Sequence, residues 1–181
     1  MKITFVTKNL NKVKEFKQIL EPEIKVEQLD YNYLELRSDS PEEIAKLAAK
    51  QMAEKFQKPV VVEDSGLFIT ALKDFPGTSS AYIHKRIGLK GILKLMEGIE
   101  DRTALYKSAV AFCEPSKRPI SFLGTENGTI STEIKGDYGF GHDPIFIPKD
   151  SEQTYGQMSN VEELKNFRRR AAEQLRRHLL R

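Results

Sequence analysis

Apolar residues fall into two alternating kinds of pattern over the first third of the chain. Lys2 to Val6 is a short apolar-rich run, and Ile24 to Leu29 alternates Ile24 and Val26 with Lys25 and Glu27; both have strand length. Between them Val13, Phe16, Ile19 and Leu20 recur at helical spacing, predicting a helix from about Asn11 to Leu20 that Pro22 ends. Ser40-Pro41-Glu42-Glu43 reads as a helix start, with Ser40 capping, Pro41 in the first position and Glu43 completing a capping box. Ile44, Leu47, Ala48 and Met52 continue that helix toward Phe56. Pro59 to Val62 then gives a third strand, whose β-branched run suits a buried position. The spacing predicts that this strand stops at Glu63-Asp64, with Ser65-Gly66 as a turn.

The remainder is richer in strands. Leu67 to Leu72 is apolar and extends the same lobe, Pro76 to Ser80 reads as a turn, and Gly88 to Met96 as a helix. Ala104 to Phe112, Pro119 to Thr125 and Thr129 to Ile134 read as an antiparallel meander, with Asn127-Gly128 as its hairpin turn. A glycine-rich stretch from Gly136 to Gly141 leads to a short strand, Pro144 to Pro148. Ser159 to Arg181 reads as helical. Either one helix starts at Ser159 and its arginines are mid-helix, or Asn166 caps a helix that begins at Phe167. The order is βαβαβ, a β-rich middle and a C-terminal helix.

With 181 residues, 39% hydrophobic and 30% charged, the chain has the composition of a globular protein and the length of a single domain over 1–181. A net charge of +3 does not by itself imply nucleic acid. One cysteine, Cys113, excludes an intrachain disulfide and a cysteine-based zinc cluster, and its apolar neighbours place it in a strand. The three histidines are too scattered in sequence for a metal triad. Lys8, Lys12 and Lys14 interrupt any secretory apolar core, and no stretch has transmembrane length, so the expectation is a cytoplasmic protein with no membrane partner.

Four segments carry candidate chemistry. Glu63 and Asp64 lie at the carboxyl end of a strand, where open α/β sheets bind ligands, and alternation turns one toward the site and the other away. Thr7-Lys8-Asn9-Leu10-Asn11-Lys12 puts a hydroxyl, amides and two lysines at a helix start, an arrangement suited to an anion. It contains no glycine, so it is neither a Walker loop nor a dinucleotide fingerprint. Glu35 is a second candidate acid, flanked by Leu34 and Leu36. Gly139-Phe140-Gly141-His142-Asp143-Pro144 leaves an aromatic ring uncovered for stacking on a base, with Asp143 held extended before proline, free to accept base N–H groups or to brace the loop. Phe167-Arg168-Arg169-Arg170 would place three cations in a first helical turn if the helix begins there, which an anionic ligand would relieve.

Together these segments resemble the inosine triphosphate pyrophosphatase family, the non-standard purine nucleoside triphosphate pyrophosphatases. The resemblance rests on Thr7-x-Asn9-x-x-Lys12-x-x-Glu15, Glu35, Glu63-Asp64-Ser65-Gly66-Leu67, Pro76-Gly77 and Gly139-Phe140-Gly141-His142-Asp143-Pro144-Ile145-Phe146, in the family's order from residue 3 to about 158. It implies an elongated α/β fold, a mixed β-sheet flanked by helices, with two lobes and a central cleft. It also implies a homodimer and magnesium-dependent hydrolysis of ITP, dITP and XTP to the monophosphate and pyrophosphate. By position it makes Glu35 and Asp64 magnesium ligands, Asp64 also the general base and Lys12 catalytic. Thr7 to Lys12 and Ser65 would hold the phosphates, and Phe140, Gly141, His142 and Asp143 the base. His142 stands where the family commonly has tyrosine. The family's C-terminal lysine and Ser-His-Arg triplet fall, without a gap, on Glu163 and Phe167-Arg168-Arg169. Lys165 is then the substitute lysine, Arg169 the retained arginine, and Arg168 the donor to a 6-oxo group.

Cleavage builds charge on the departing pyrophosphate, and two unit charges 4 Å apart interact by about 4 kcal/mol at an effective dielectric near 20. Lys8, Lys12 and Arg169, with magnesium, would offset that charge. Two alternatives stand beside this expectation. One is a Maf-like nucleotide pyrophosphatase with another base preference; the other is an inactive nucleotide- or RNA-binding module using the arginine-rich helix.

Overall fold

A computed structural model describes residues 1–181. Strand β1 (Lys2–Val6) leads through Asn9, whose side chain accepts from the Asn11 and Lys12 amides, into helix α1 (Leu10–Leu20). Strand β2 (Lys25–Leu29) follows. Helix α2 (Pro41–Phe56) is capped by Ser40 as the sequence predicts, but the expected capping box runs through an intermediary. Ser38 Oγ accepts from the Ser40 amide and donates to Glu43 at 2.7 Å, so Glu43 does not reach the cap directly. Leu47, expected on the apolar face of α2, is exposed; Ala45, Ala48, Ala49 and Met52 form the buried stripe instead.

Strand β3 runs from Val60 to Ile69, straight through Glu63-Asp64 and the expected Ser65-Gly66 turn. Gly66 serves close approach rather than a turn: a Cβ there would lie 2.0 Å from the Gly77 carbonyl oxygen of strand β4 (Phe75–Gly77), which pairs antiparallel with β3. After a 3-10 turn at Thr70–Leu72, helix α3 spans Ser80–Leu95. The expected helix at Gly88 is only its second half; Gly88, at φ 62° and ψ −168°, divides it. The first half begins at Ser80, whose hydroxyl accepts from the Leu67 amide and donates to the Gly77 carbonyl.

Strands β5 (Thr103–Cys113) and β6 (Ile120–Ile130) replace the expected three-strand meander. The reversal lies at Glu114–Lys117, where Ser116 takes a positive φ and the Lys117 amide returns to Glu114. Asn127-Gly128 is inside β6, and Gly128 lets strand β7 (Phe146–Pro148) approach, since a Cβ would meet the Ile147 oxygen at 2.3 Å. Helix α4 (Val161–Leu164) ends at Lys165, which is extended at ψ 97°, and helix α5 covers Asn166–Leu179. The C-terminal segment is thus broken, and Arg168 and Arg169 fall in the first turn of α5, with Arg170 opening the second.

All seven strands join one mixed sheet in the order β2-β1-β3-β5-β6-β7, with β4 paired to β3. β1 is parallel to both β2 and β3. The chain forms two units: residues 1–64, 108–124 and 166–181, and residues 65–107 and 125–165. In the first unit, strand alternation sends Val61 and Val110 to one face, with Phe5, Phe16 and Leu175, and Val60, Val62, Ala109 and Ala111 to the other, with the alanines of α2. Gly124 lets the first turn of α5 lie against β6, for a Cβ there would meet the Phe167 carbonyl oxygen at 1.9 Å. In the second unit, Arg102 donates to the carbonyls of Met96, Ile130 and Ser131.

Candidate active site

In the first unit, the buried strand β3 delivers Glu63 and Asp64 side by side, and both are buried, at 3% and 8% exposure. Burial of a carboxylate requires compensating charge. Glu63 receives it from three elements. Lys12, one turn into α1, sets its ammonium 2.5 Å from Glu63 Oε2 and donates to the Glu63 carbonyl oxygen at 3.2 Å. Ser108 of β5 donates to Oε1 at 2.6 Å, and Arg168 of α5 donates Nε to the same oxygen at 3.1 Å. Arg168 Nη1 donates to Glu15, which α1 carries into the interior. Two cations thus balance two acids in a four-residue cluster.

This balance sets the protonation states. Burial alone would raise the Glu63 carboxyl, but the charges of Arg168 and Lys12, with hydrogen bonds from Lys12 and Ser108, outweigh it and hold the group at about 2. Burial alone would lower Arg168, and Glu15 and Glu63 raise it instead. Both groups stay charged at neutral pH.

Arg168, expected as the donor to a 6-oxo group, instead binds two buried acids. It is 2% exposed, and its Nε and Nη1 are committed to carboxylates. Arg169, next along, is half-buried. Thr7 accepts from the Asn9 amide at 3.1 Å, while Lys8, Leu10 and Asn11 are exposed around the start of α1. Glu35 is exposed on the segment after β2. Burial, then the negative charges of Glu35, Asp64 and Glu63, raise the Tyr33 phenol above its ordinary value. Glu35 and Asp64 thus bear on the same phenol.

In the second unit, Lys165 and Asp143 form a buried pair at 2.7 Å. Asp143 also accepts from the Phe140 amide at 2.7 Å and from the Tyr106 hydroxyl at 3.5 Å. Asp143 opens a 3-10 turn, Asp143–Ile145, rather than lying in an extended segment, and its carboxylate braces the loop. Gly139, at φ +74°, makes this possible: a Cβ there would stand 2.2 Å from Asp143 Oδ2. The Lys165 ammonium lies 4.0 Å from the centroid of the half-buried Phe140 ring, a cation–π contact. Ser65, at the start of this unit, is half-buried. His142 is buried, and burial first, then the His84 charge, lower it to about 4, so it is neutral at pH 7.

Sequence reasoning named Glu63 as a candidate acid and Glu15 in the family pattern without giving either a partner, and it passed over Ser108 and Tyr33. A signal for the cluster existed. Arg168 lies three residues before Ala171 and seven before Leu175, on the apolar face of its helix, and a cation there needs a buried acid.

A model of the Ham1 family matches residues 3–178. The chain is 50% identical to a dITP/XTP pyrophosphatase of Methanopyrus kandleri, over 91% of this chain and 88% of that protein. It is 46% identical to one of Methanothermobacter marburgensis, over 90% and 87%. Among solved structures, the Staphylococcus aureus Ham1 protein superposes with a TM-score of 0.84 at 28% identity, covering 99% of this chain and 98% of that one.

Proposed function

The chain belongs to the Ham1 family, and from that membership we propose that it hydrolyses deaminated purine nucleoside triphosphates, dITP, ITP and XTP, to the monophosphate and pyrophosphate. The relatives named above as dITP/XTP pyrophosphatases support the substrate class. The observation that carries the reading is Lys12 anchored on Glu63, which brings the cation of the first helix start beside the acidic pair within β3.

Each residue then has a task. Asp64 takes the proton of a water that attacks the α-phosphorus. Lys12, oriented by Glu63, offsets the charge growing on the leaving pyrophosphate, with Lys8 and Arg169. Thr7, Asn9, Leu10, Asn11 and Ser65 line the polyphosphate. Glu35 and Asp64 are oxygen donors, the type that suits a hard cation taking its other ligands from phosphate and water. Glu35 and Asp64 would hold magnesium, which when bound adds positive charge to orient the polyphosphate.

For the base, Phe140 supplies a stacking face, and Lys165, whose ammonium carries donors beyond the one directed at Asp143, supplies the donor to a 6-oxo acceptor. Gly141, His142 and Asp143 complete the loop that holds it. Adenine presents a 6-amino donor to that ammonium, and leaving both unpaired costs about 1–3 kcal/mol, roughly 10- to 100-fold in selectivity. The reading includes a homodimer, action on the cytoplasmic nucleotide pool, and no membrane attachment; no helix is long and apolar enough to cross a membrane.

Pyrophosphate release from dITP, XTP, ITP, ATP, GTP and UTP, with and without magnesium, tests the proposal. Asp64→Asn is expected to lose turnover of dITP while melting like the parent. Equal use of ATP, or undiminished turnover by the variant, would refute it.

A further inference from the structure

One pair of side chains in the second unit offers ligand chemistry that the proposed hydrolysis does not use. His84, in the first half of α3, and His142, just before the Asp143–Ile145 turn, stand nearly perpendicular, at 82°, with ring centroids 5.1 Å apart. His142 is 3% exposed, and its Nε2 has no hydrogen-bond partner in the protein. An unpaired buried imidazole nitrogen is costly unless something else meets it. His84 is half-buried, which leaves a route from solvent to the pair. The neighbouring carboxylate is committed elsewhere: Asp143 is held by Lys165, the Phe140 amide and Tyr106.

Neutral imidazoles are ligands for borderline transition metals such as Zn²⁺, Ni²⁺ and Cu²⁺, whereas magnesium prefers oxygen. An ion bound about 2.0–2.1 Å from one nitrogen of each of two rings allows their centroids to stand up to about 6 Å apart. The observed separation lies within that span. The geometry points to His84 and His142 as a two-histidine site for a transition-metal ion, with Zn²⁺ as the representative cation and water in its remaining positions. The site differs in donor chemistry from the carboxylates proposed for magnesium. It also differs from the family resemblance, which puts tyrosine at position 142. With only two protein ligands, binding is weaker than at a structural zinc with four. A cation held there adds positive charge one residue from Asp143, the partner of Lys165.

The chain has three histidines, and the third, His178, lies on α5 beside Phe112 and Phe122 and acts as an internal control. Imidazole ¹⁵N resonances of the full chain are followed at pH 7 while ZnCl₂ is added, with MgCl₂ as comparison. The His84 and His142 signals are expected to move together, saturating at one Zn²⁺ per chain, while His178 stays in place and Mg²⁺ moves none of them. In His84→Ala and in His84→Gln, the His142 shift is lost. No movement of the pair at tenfold molar excess of Zn²⁺ overturns the assignment. So does an equal response from His178, or a His142 shift that survives in both variants. The readout requires no turnover, so its failure is separate from failure of the pyrophosphatase reading.

Discussion

Replacing Arg168 by methionine removes the guanidinium from a site where it faces two carboxylates. Arg168 is buried and donates to Glu63 at 3.1 Å and to Glu15. In its absence Lys12 is the remaining cation of the cluster, against two buried acids. Breaking a buried ion pair by deleting one partner costs about 3–5 kcal/mol, because the other charge stays in a place that disfavours it. For a chain of 181 residues, each kcal/mol shifts the melting temperature by about 2–4 °C, so Arg168→Met should melt roughly 10 °C lower. Urea denaturation measures the loss directly. The reasoning makes a second demand, that much of the cost is the stranded carboxylates. Glu15→Gln and Glu63→Gln, added to Arg168→Met, should therefore recover stability, with a coupling energy of about 2 kcal/mol or more. A loss below about 1 kcal/mol in the single variant, or a triple variant no more stable than it, would refute the cluster as described.

Other outcomes follow from the second unit. Lys165→Met should raise KM for dITP and shrink the preference for dITP over dATP by about 10- to 100-fold, read from kcat/KM on both nucleotides; an unchanged preference would assign base selection elsewhere. His142, lowered to about 4 in the folded chain, sets a pH dependence of stability. Between its unfolded value near 6.5 and about 4, the unfolded chain binds the proton and the folded one does not. Stability is thus fully present above about 6.5 and falls as pH drops through that window, by about 3 kcal/mol in total. Denaturation series at pH 7, 5.5 and 4 should show this fall, and His142→Tyr should flatten it.

The first βαβαβ segment was legible because each element carries its own signal: Asn9 and Ser40 cap their helices, and the strands are apolar-rich or alternating runs. The errors share a physical cause. Ser65-Gly66 and Asn127-Gly128 look like turns from the chain alone, yet both glycines stand where another strand's backbone comes close. That requirement comes from β4 and β7, which are distant in sequence, and leaves no local mark. Ser116, a non-glycine residue at positive φ, made the real reversal hard to see. The acids, the first helix start and the Phe140 loop could be picked out by residue type. Partner choice could not: the lysine that meets Asp143 and the arginine that meets Glu63 lie three residues apart, and the break at Lys165 sends them to different units.

The central claim is that water activated at Asp64 attacks the α-phosphorus. Hydrolysis of dITP with magnesium in ¹⁸O-enriched water, followed by ³¹P spectroscopy of the products, tests it most directly. The account predicts dIMP carrying one ¹⁸O and pyrophosphate carrying none. Label in the pyrophosphate, or release of orthophosphate with dIDP, would contradict it.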